Sequence, residues 1–202
     1  MTSKLQIKFG PSTAAQHLSA EAAARDLSIS RNVVIKALDT GVLPDLRYTT
    51  VAKAASLPII TSLADATGAK IPVLRMGVRN DDVSNDPPND PRTCYGYDIT
   101  LTCQDLEDSV LRYWPPQYVR EVVHLGALPV VAASFVVAFA EITGATPVGD
   151  RYKFSGRLVA HTISVIDKKV EVDAPDSPWV DDATALINAR LLGGGGGSLT
   201  LA

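Results

Sequence analysis

Cysteine is scarce in this chain. Its 202 residues include two, Cys94 and Cys103, nine positions apart. Two thiols cannot build the disulfide framework of a small secreted scaffold, and they read as small buried or half-buried residues kept reduced. Histidine is nearly as rare: His17, His124 and His161 are scattered, and none stands at HExxH or CxxC…H spacing. The sequence therefore predicts neither a metal site nor a cofactor. A Cys–His nucleophile pair would need Cys94 or Cys103 to meet His124 or His161 in the fold. There is no lysine-bearing phosphate loop, because the run Gly193 to Gly197 has no lysine and no strand before it. The acidic pairs Glu107-Asp108 and Asp181-Asp182 read as helix N-terminal residues that complement the macrodipole rather than as catalytic carboxylates. No catalytic constellation emerges, so no enzyme is expected. Long apolar runs are also missing. The longest, Ala127 to Ala140, is about 14 residues and is broken by Pro129 and Ser134, too short for a bilayer span. The opening MTSKLQIKFG lacks an apolar signal region, so a cytoplasmic protein without membrane partners is expected. No internal repeat is visible.

A basic balance is absent as well: the formal net charge is −3. Its distribution is uneven. Residues 1–79 carry ten Lys and Arg against five acids, whereas the remainder carries nine against seventeen. An apolar content of 46% and a charged content of 20% are those of a globular chain long enough to bury a core.

Within the basic part, residues 18–44 read LSAEAAARDLSISRNVVIKALDTGVLP. The pattern predicts a helix over Ala20 to Leu27, with Ala23 and Ala24 small enough for a second helix to approach. Ser28-Ile29-Ser30 forms the turn, and Ile29 is its apolar plug. Ser30 is a favourable N-cap for a second helix over Arg31 to Leu38. Val34 and Leu38 would face the core, leaving Arg31, Asn32, Ile35 and Lys36 to point outward. Gly41 and Pro44 end the second helix.

This stretch resembles the excisionase-type helix-turn-helix, which is related to the MerR DNA-binding domain. The resemblance rests on Leu18, Ser19, Ala23, Ala24, Arg25, Leu27, Ser30, Arg31, Val34, Gly41, Leu43, Pro44 and Arg47. Ser28 stands where the family carries a turn glycine, and YTTVAKAASLPIITSLADATG replaces its basic wing. The resemblance implies double-stranded DNA as the partner, with the second helix in the major groove. The residues it points to are Arg25, Ser30, Arg31, Asn32, Ile35, Lys36 and Arg47. Arg31, Asn32 and Lys36 would contact bases or phosphates, and Arg25 and Arg47 would grip phosphates.

The rest of the chain reads as follows. A strand is expected over residues 3–9. A helix from Thr50 to Ala55 precedes Pro58, and another short helix ends near Gly68. Ile71 to Met76 is expected to be extended, with Pro72 placing it at a sheet edge. NDDVSNDPPNDPRT, residues 80–93, reads as a linker or exposed loop. Then come a strand over Tyr97 to Cys103 and a helix through DLEDSVLRYW, where Leu106, Val110 and Trp114 keep helical spacing. A further helix is closed by Gly126. A buried strand covers Phe135 to Ile142, while the first half of that apolar run fits helix or strand. Strands follow over 151–166 and 168–173. A helix opens at Ser177-Pro178 and runs to Leu192, ahead of a flexible glycine-rich tail.

The expected fold class is α+β: a helix-turn-helix module (1–79), the linker (80–93), a mixed α/β module (94–192) and the tail (193–202). The functional expectation is a sequence-specific DNA-binding regulator of repressor or excisionase type, from a bacterium or phage. Its C-terminal module would add a DNA contact, dimerise or bind a protein. The alternative is a structural or assembly protein, such as a virion component, whose helical pair only packs. The basic-aromatic run Arg151 to Phe154 fits either a nucleic-acid contact or an exposed strand edge.

Overall fold

Ser19 opens the first helix. Its hydroxyl accepts the Ala22 N–H at 3.2 Å and caps α1, Ala20–Leu27. Ser28 takes the left-handed conformation (φ 53°), and the N–H groups of Ser28 and Ile29 return to the carbonyls of Arg25 and Ala24. Serine therefore makes the turn for which glycine is the easier residue. Ser30 then caps α2, Arg31–Asp39, by accepting the Val33 N–H at 3.3 Å. Ala23, Ala24, Leu27, Val34 and Ala37 are all buried where the two helices meet. Helix α3, Tyr48–Ala55, begins two residues before the expected start and packs on α1.

The computed structural model describes residues 16–64, 68, 70–90, 92–192 and 199–201. Among them are six helices and one eight-stranded mixed sheet, so the fold is α+β. The remaining elements are β1 (Ile59–Ile60), β2 (Pro72–Met76), α4 (Cys103–Leu111), α5 (Val119–Leu125), β3 (Ala127–Ala132), β4 (Phe135–Val148), β5 (Arg151–Ser164), β6 (Lys169–Val172), α6 (Val180–Leu186), β7 (Arg190–Leu191) and β8 (Leu199–Leu201). The path through the sheet is β1-β7-β4-β3-β2-β8, and the long β5 branches from β4 and carries β6. Pairs β1·β7 and β2·β3 are parallel, the others antiparallel. No described helix is long and apolar enough to cross a membrane.

Every residue of β3 and the first six of β4 are buried, which is why that run lacks alternation. Its ambiguous first half is strand, because Ala133 and Ser134 both take positive φ and turn the chain back tightly. One apolar cluster extends from Ala23, Leu27 and Val34 on the helices to Leu74, Leu128, Phe135 and Leu158 on the sheet. A second lies on Val73, Val131, Val136 and Phe139, against Ala183 and Ile187 of the α6 segment. Helices α1–α3 and the sheet thus share a core, where the sequence predicted a boundary at 80–93.

Several expectations are corrected. Strand β2 is not an edge. It lies between β3 and β8, and Pro72 is tolerated because it is the strand's first residue. After Pro58 comes β1 and an irregular segment to Ala64 rather than a helix. Residues 98–102 are not a strand: the Asp98 carboxylate accepts from the Thr100 N–H and hydroxyl, and Thr102 caps α4. These local side-chain bonds compete with a ladder. Helix α4 stops at Leu111, three residues short of Trp114, whose indole N–H donates to the Val110 carbonyl at 2.6 Å. Helix α6 ends at Leu186, Asn188 turns with φ 70°, and Arg190–Leu191 join the sheet instead of extending the helix. The 80–93 segment is an exposed loop over most of its length, as expected, but it is tied down where Arg92 and Asp86 pair at 2.7 Å with side chains each 5% exposed. In the expected mobile tail, Leu199–Leu201 pair with Leu74 to Pro72. The predicted strand over 3–9 and the five glycines lie outside the described residues.

Candidate functional site

The surface to be judged is that of α1, the turn and α2. Arg31 and Asn32 open α2 and are both exposed. The Arg31 guanidinium reaches back to Glu21 on α1 at 2.7 Å, in a pair whose side chains are 55% and 63% exposed. Such a pair is worth little and exchanges readily with another anion. The Ser30 hydroxyl is committed to the helix cap, so Ser30 sets the direction of α2. Arg25 lies exposed in the last turn of α1, just ahead of the turn.

The second half of α2 is less available than its helical spacing suggests. Ile35 is half-buried. Lys36 was expected to point outward, but it is half-buried beside Arg75 of β2. Burial, and then the Arg75 charge, pull the Lys36 ammonium below its ordinary pKa. Arg75 in turn donates to the Thr200 hydroxyl of β8 at 3.1 Å. The cause is the shared core: Val33 and Leu38 also pack against it, so α2 buries more than the narrow stripe that its sequence shows. Gly41 marks the same closeness. Its φ is 69°, and a Cβ there would lie 2.6 Å from the Ile99 side chain.

Arg47 is exposed but already neutralised. Its Nε and Nη2 both lie 2.6 Å from Asp45 Oδ2. The Arg47 and Thr50 hydrogen bonds hold the Asp45 carboxyl well below the usual carboxylate range. The structure thus sets Ser30, Arg31 and Asn32 together at the α2 N-terminus, with Arg25 one turn of chain before them. It leaves Lys36 half-buried near Arg75 and puts Arg47 on the α3 approach, its backbone bridged to His17.

Elsewhere, the run Arg151 to Phe154 is mostly engaged. Lys153 binds Asp90, Phe154 is buried, and the Tyr152 backbone pairs with Trp114. Asp181 and Asp182 occupy the first turn of α6 as expected. Glu107 and Asp108 fall one turn further into α4: Glu107 accepts the Leu158 N–H at 2.9 Å, and Asp108 pairs with Arg112.

Arg190 was not singled out in the sequence. It is 3% exposed on β7, and its guanidinium donates to the Leu27 carbonyl at 2.7 Å and the Ala55 carbonyl at 3.0 Å. Those are the last residues of α1 and α3, so one cation closes the C-termini of two helices. No local motif announces such a contact, which spans more than a hundred residues of chain. Of the cysteine–histidine combinations, Cys103 and His161 do come together, through Asp173. Compared with known proteins, the chain matches no family model, no curated protein and no solved structure.

Proposed function

We propose that the protein binds double-stranded DNA through α1 and α2, with the first turn of α2 entering the major groove. The observation that carries this reading is the capped turn. Two short helices meet through small residues, Ser30 fixes the start of the second, and Arg31 and Asn32 stand exposed where it begins. In helix-turn-helix docking, the N-terminal residues of the recognition helix meet base edges. Arg31 is suited to guanine and Asn32 to adenine. Arg25 and Arg47 would hold phosphates and fix register, while the half-buried Lys36 would stay out of the groove.

The test is selection from a random duplex pool with the full chain, since α1–α3 share their core with the sheet. A bound motif should be enriched, and Arg31→Ala should relax one position of it at a cost of about 1–3 kcal/mol. Unselective recovery, unchanged by Arg31→Ala and Asn32→Ala, would contradict the reading.

A second reading, an assembly protein whose helices only pack, draws on one observation. Arg190 and the half-buried second half of α2 lock the helical pair to the sheet. Defined oligomers in solution, together with no affinity for duplex DNA, would favour it.

A further inference from the structure

Three residues far apart in the chain converge on one face of the β5–β6 hairpin. Cys103 is the first residue of α4, which packs on β5, and Thr102 fixes its place by capping that helix. His161 lies in β5, and Asp173 follows the last residue of β6. The Cys103 thiol donates to Asp173 Oδ1 at 3.2 Å, and His161 Nδ1 lies 2.8 Å from Asp173 Oδ2. The His161 and Asp173 side chains are only 9% and 10% exposed. One donor atom from each of the three residues falls within 4.8 Å of the others.

We propose that Cys103, His161 and Asp173 hold one divalent cation of the zinc class. The donor set is the first reason. A thiolate, an imidazole and a carboxylate together suit zinc, whereas magnesium and calcium take oxygen donors alone. Geometry is the second. Donors about 2.0–2.3 Å from a tetrahedral ion stand roughly 3.3–3.8 Å from one another, so the observed cluster needs only small rotations to close. As it stands, protons bridge the three heteroatoms. The ion would displace the thiol proton and take one imidazole nitrogen's lone pair.

The surroundings separate this reading from a cysteine nucleophile. The neighbours are carboxylates: Asp173 accepts from the Cys103 thiol, Glu107 lies one turn further along α4, and Glu171 pairs with His161 across the β5–β6 ladder. Reactive thiolates sit among cations, whereas carboxylates gathered around a thiol and an imidazole attract a metal ion. Glu107 is occupied with the Leu158 N–H. Glu171 faces His161 across the β5–β6 ladder, and it or water would complete four-coordination. An ion here would tie the start of α4 to a hairpin from the other end of the sequence.

Cobalt and zinc titrations of the full chain test this. Cobalt(II) should give thiolate-to-metal charge-transfer absorption that saturates at about one ion per chain and disappears when zinc is added. Zinc should raise the melting temperature. Cys103→Ser should abolish the absorption and weaken zinc binding at least about tenfold, and Asp173→Asn should weaken it too. Cys94→Ser, at the other and buried cysteine, should leave both unchanged. No charge-transfer absorption in the unaltered chain, or absorption and zinc affinity that survive Cys103→Ser, would overturn the proposal.

Discussion

At the scale of single residues, the charges hidden inside the 80–93 segment matter most. Arg92 donates to both carboxylate oxygens of Asp86 and to the Arg112 carbonyl, and its guanidinium lies 5.3 and 5.4 Å from the ring centres of Tyr95 and Tyr113. Burial alone would raise the Asp86 pKa, but the Arg92 hydrogen bonds outweigh it and bring the carboxyl below its ordinary value. A depressed carboxyl gives stability that is present above the unfolded value of about 3.9 and is lost as pH falls through the folded one. Asp86→Asn should therefore flatten the acid limb of the stability profile below about pH 4. At neutral pH it should cost about 3–5 kcal/mol, because it leaves Arg92 buried without its partner. Asp81→Asn, at an exposed pair with Arg79, should cost no more than about 1 kcal/mol. Urea unfolding at pH 7 and pH 3 reads all three; an Asp86→Asn chain as stable as the unaltered one would refute the assignment. The same residues show how polarity misleads. A run of Asp, Asn, Pro and Arg reads as solvated, yet here two of its charges satisfy each other. The cap at Ser30 was legible because a cap and its N–H lie three residues apart.

At the scale of elements, the boundaries of α1 and the start of α2 follow from local chemistry. So does the end of α5, where Gly126 takes φ 74°. What is joined to what does not. Arg190 on β7 holds α1 and α3 onto the sheet through the carbonyls that end the two helices. Its partners lie 163 and 135 positions away, beyond any periodicity. Arg190→Met keeps the bulk and removes the donors. It should cost about 2–4 kcal/mol, a fall in melting temperature of roughly 5–15 °C. Arg157→Ala, at a half-exposed pair with Asp176, should lower it by no more than a few degrees. Equal melting of the Arg190→Met and unaltered chains would mean that the helices are held by apolar packing alone.

At the scale of the whole molecule, α+β content was readable from the alternation in β5 and β6 and from the caps. The sheet order was not. Strand β2 pairs with β3 some fifty residues on and with β8 near the C-terminus, and a three-residue strand after a glycine run carries no signal of its own. The candidate DNA surface was legible to the same extent. Arg25, Arg31 and Asn32 stand where the helical pattern puts them. Lys36 does not: it is half-buried, near enough to Arg75 of β2 to feel its charge. Among the described residues of α1, α2 and the approach to α3, the exposed arginines are Arg25, Arg31 and Arg47, and a phosphate would have to take the place of Glu21 at Arg31 and of Asp45 at Arg47.

The most direct measurement is the salt dependence of duplex binding by the full chain, followed by fluorescence anisotropy between about 50 and 200 mM salt. Contacts from these arginines predict a log-log slope of roughly −2 to −3, which becomes shallower by about one for each phosphate-contacting arginine replaced by alanine. No binding at about 50 mM salt, or a slope that replacing all three leaves unchanged, would contradict DNA recognition through α1 and α2.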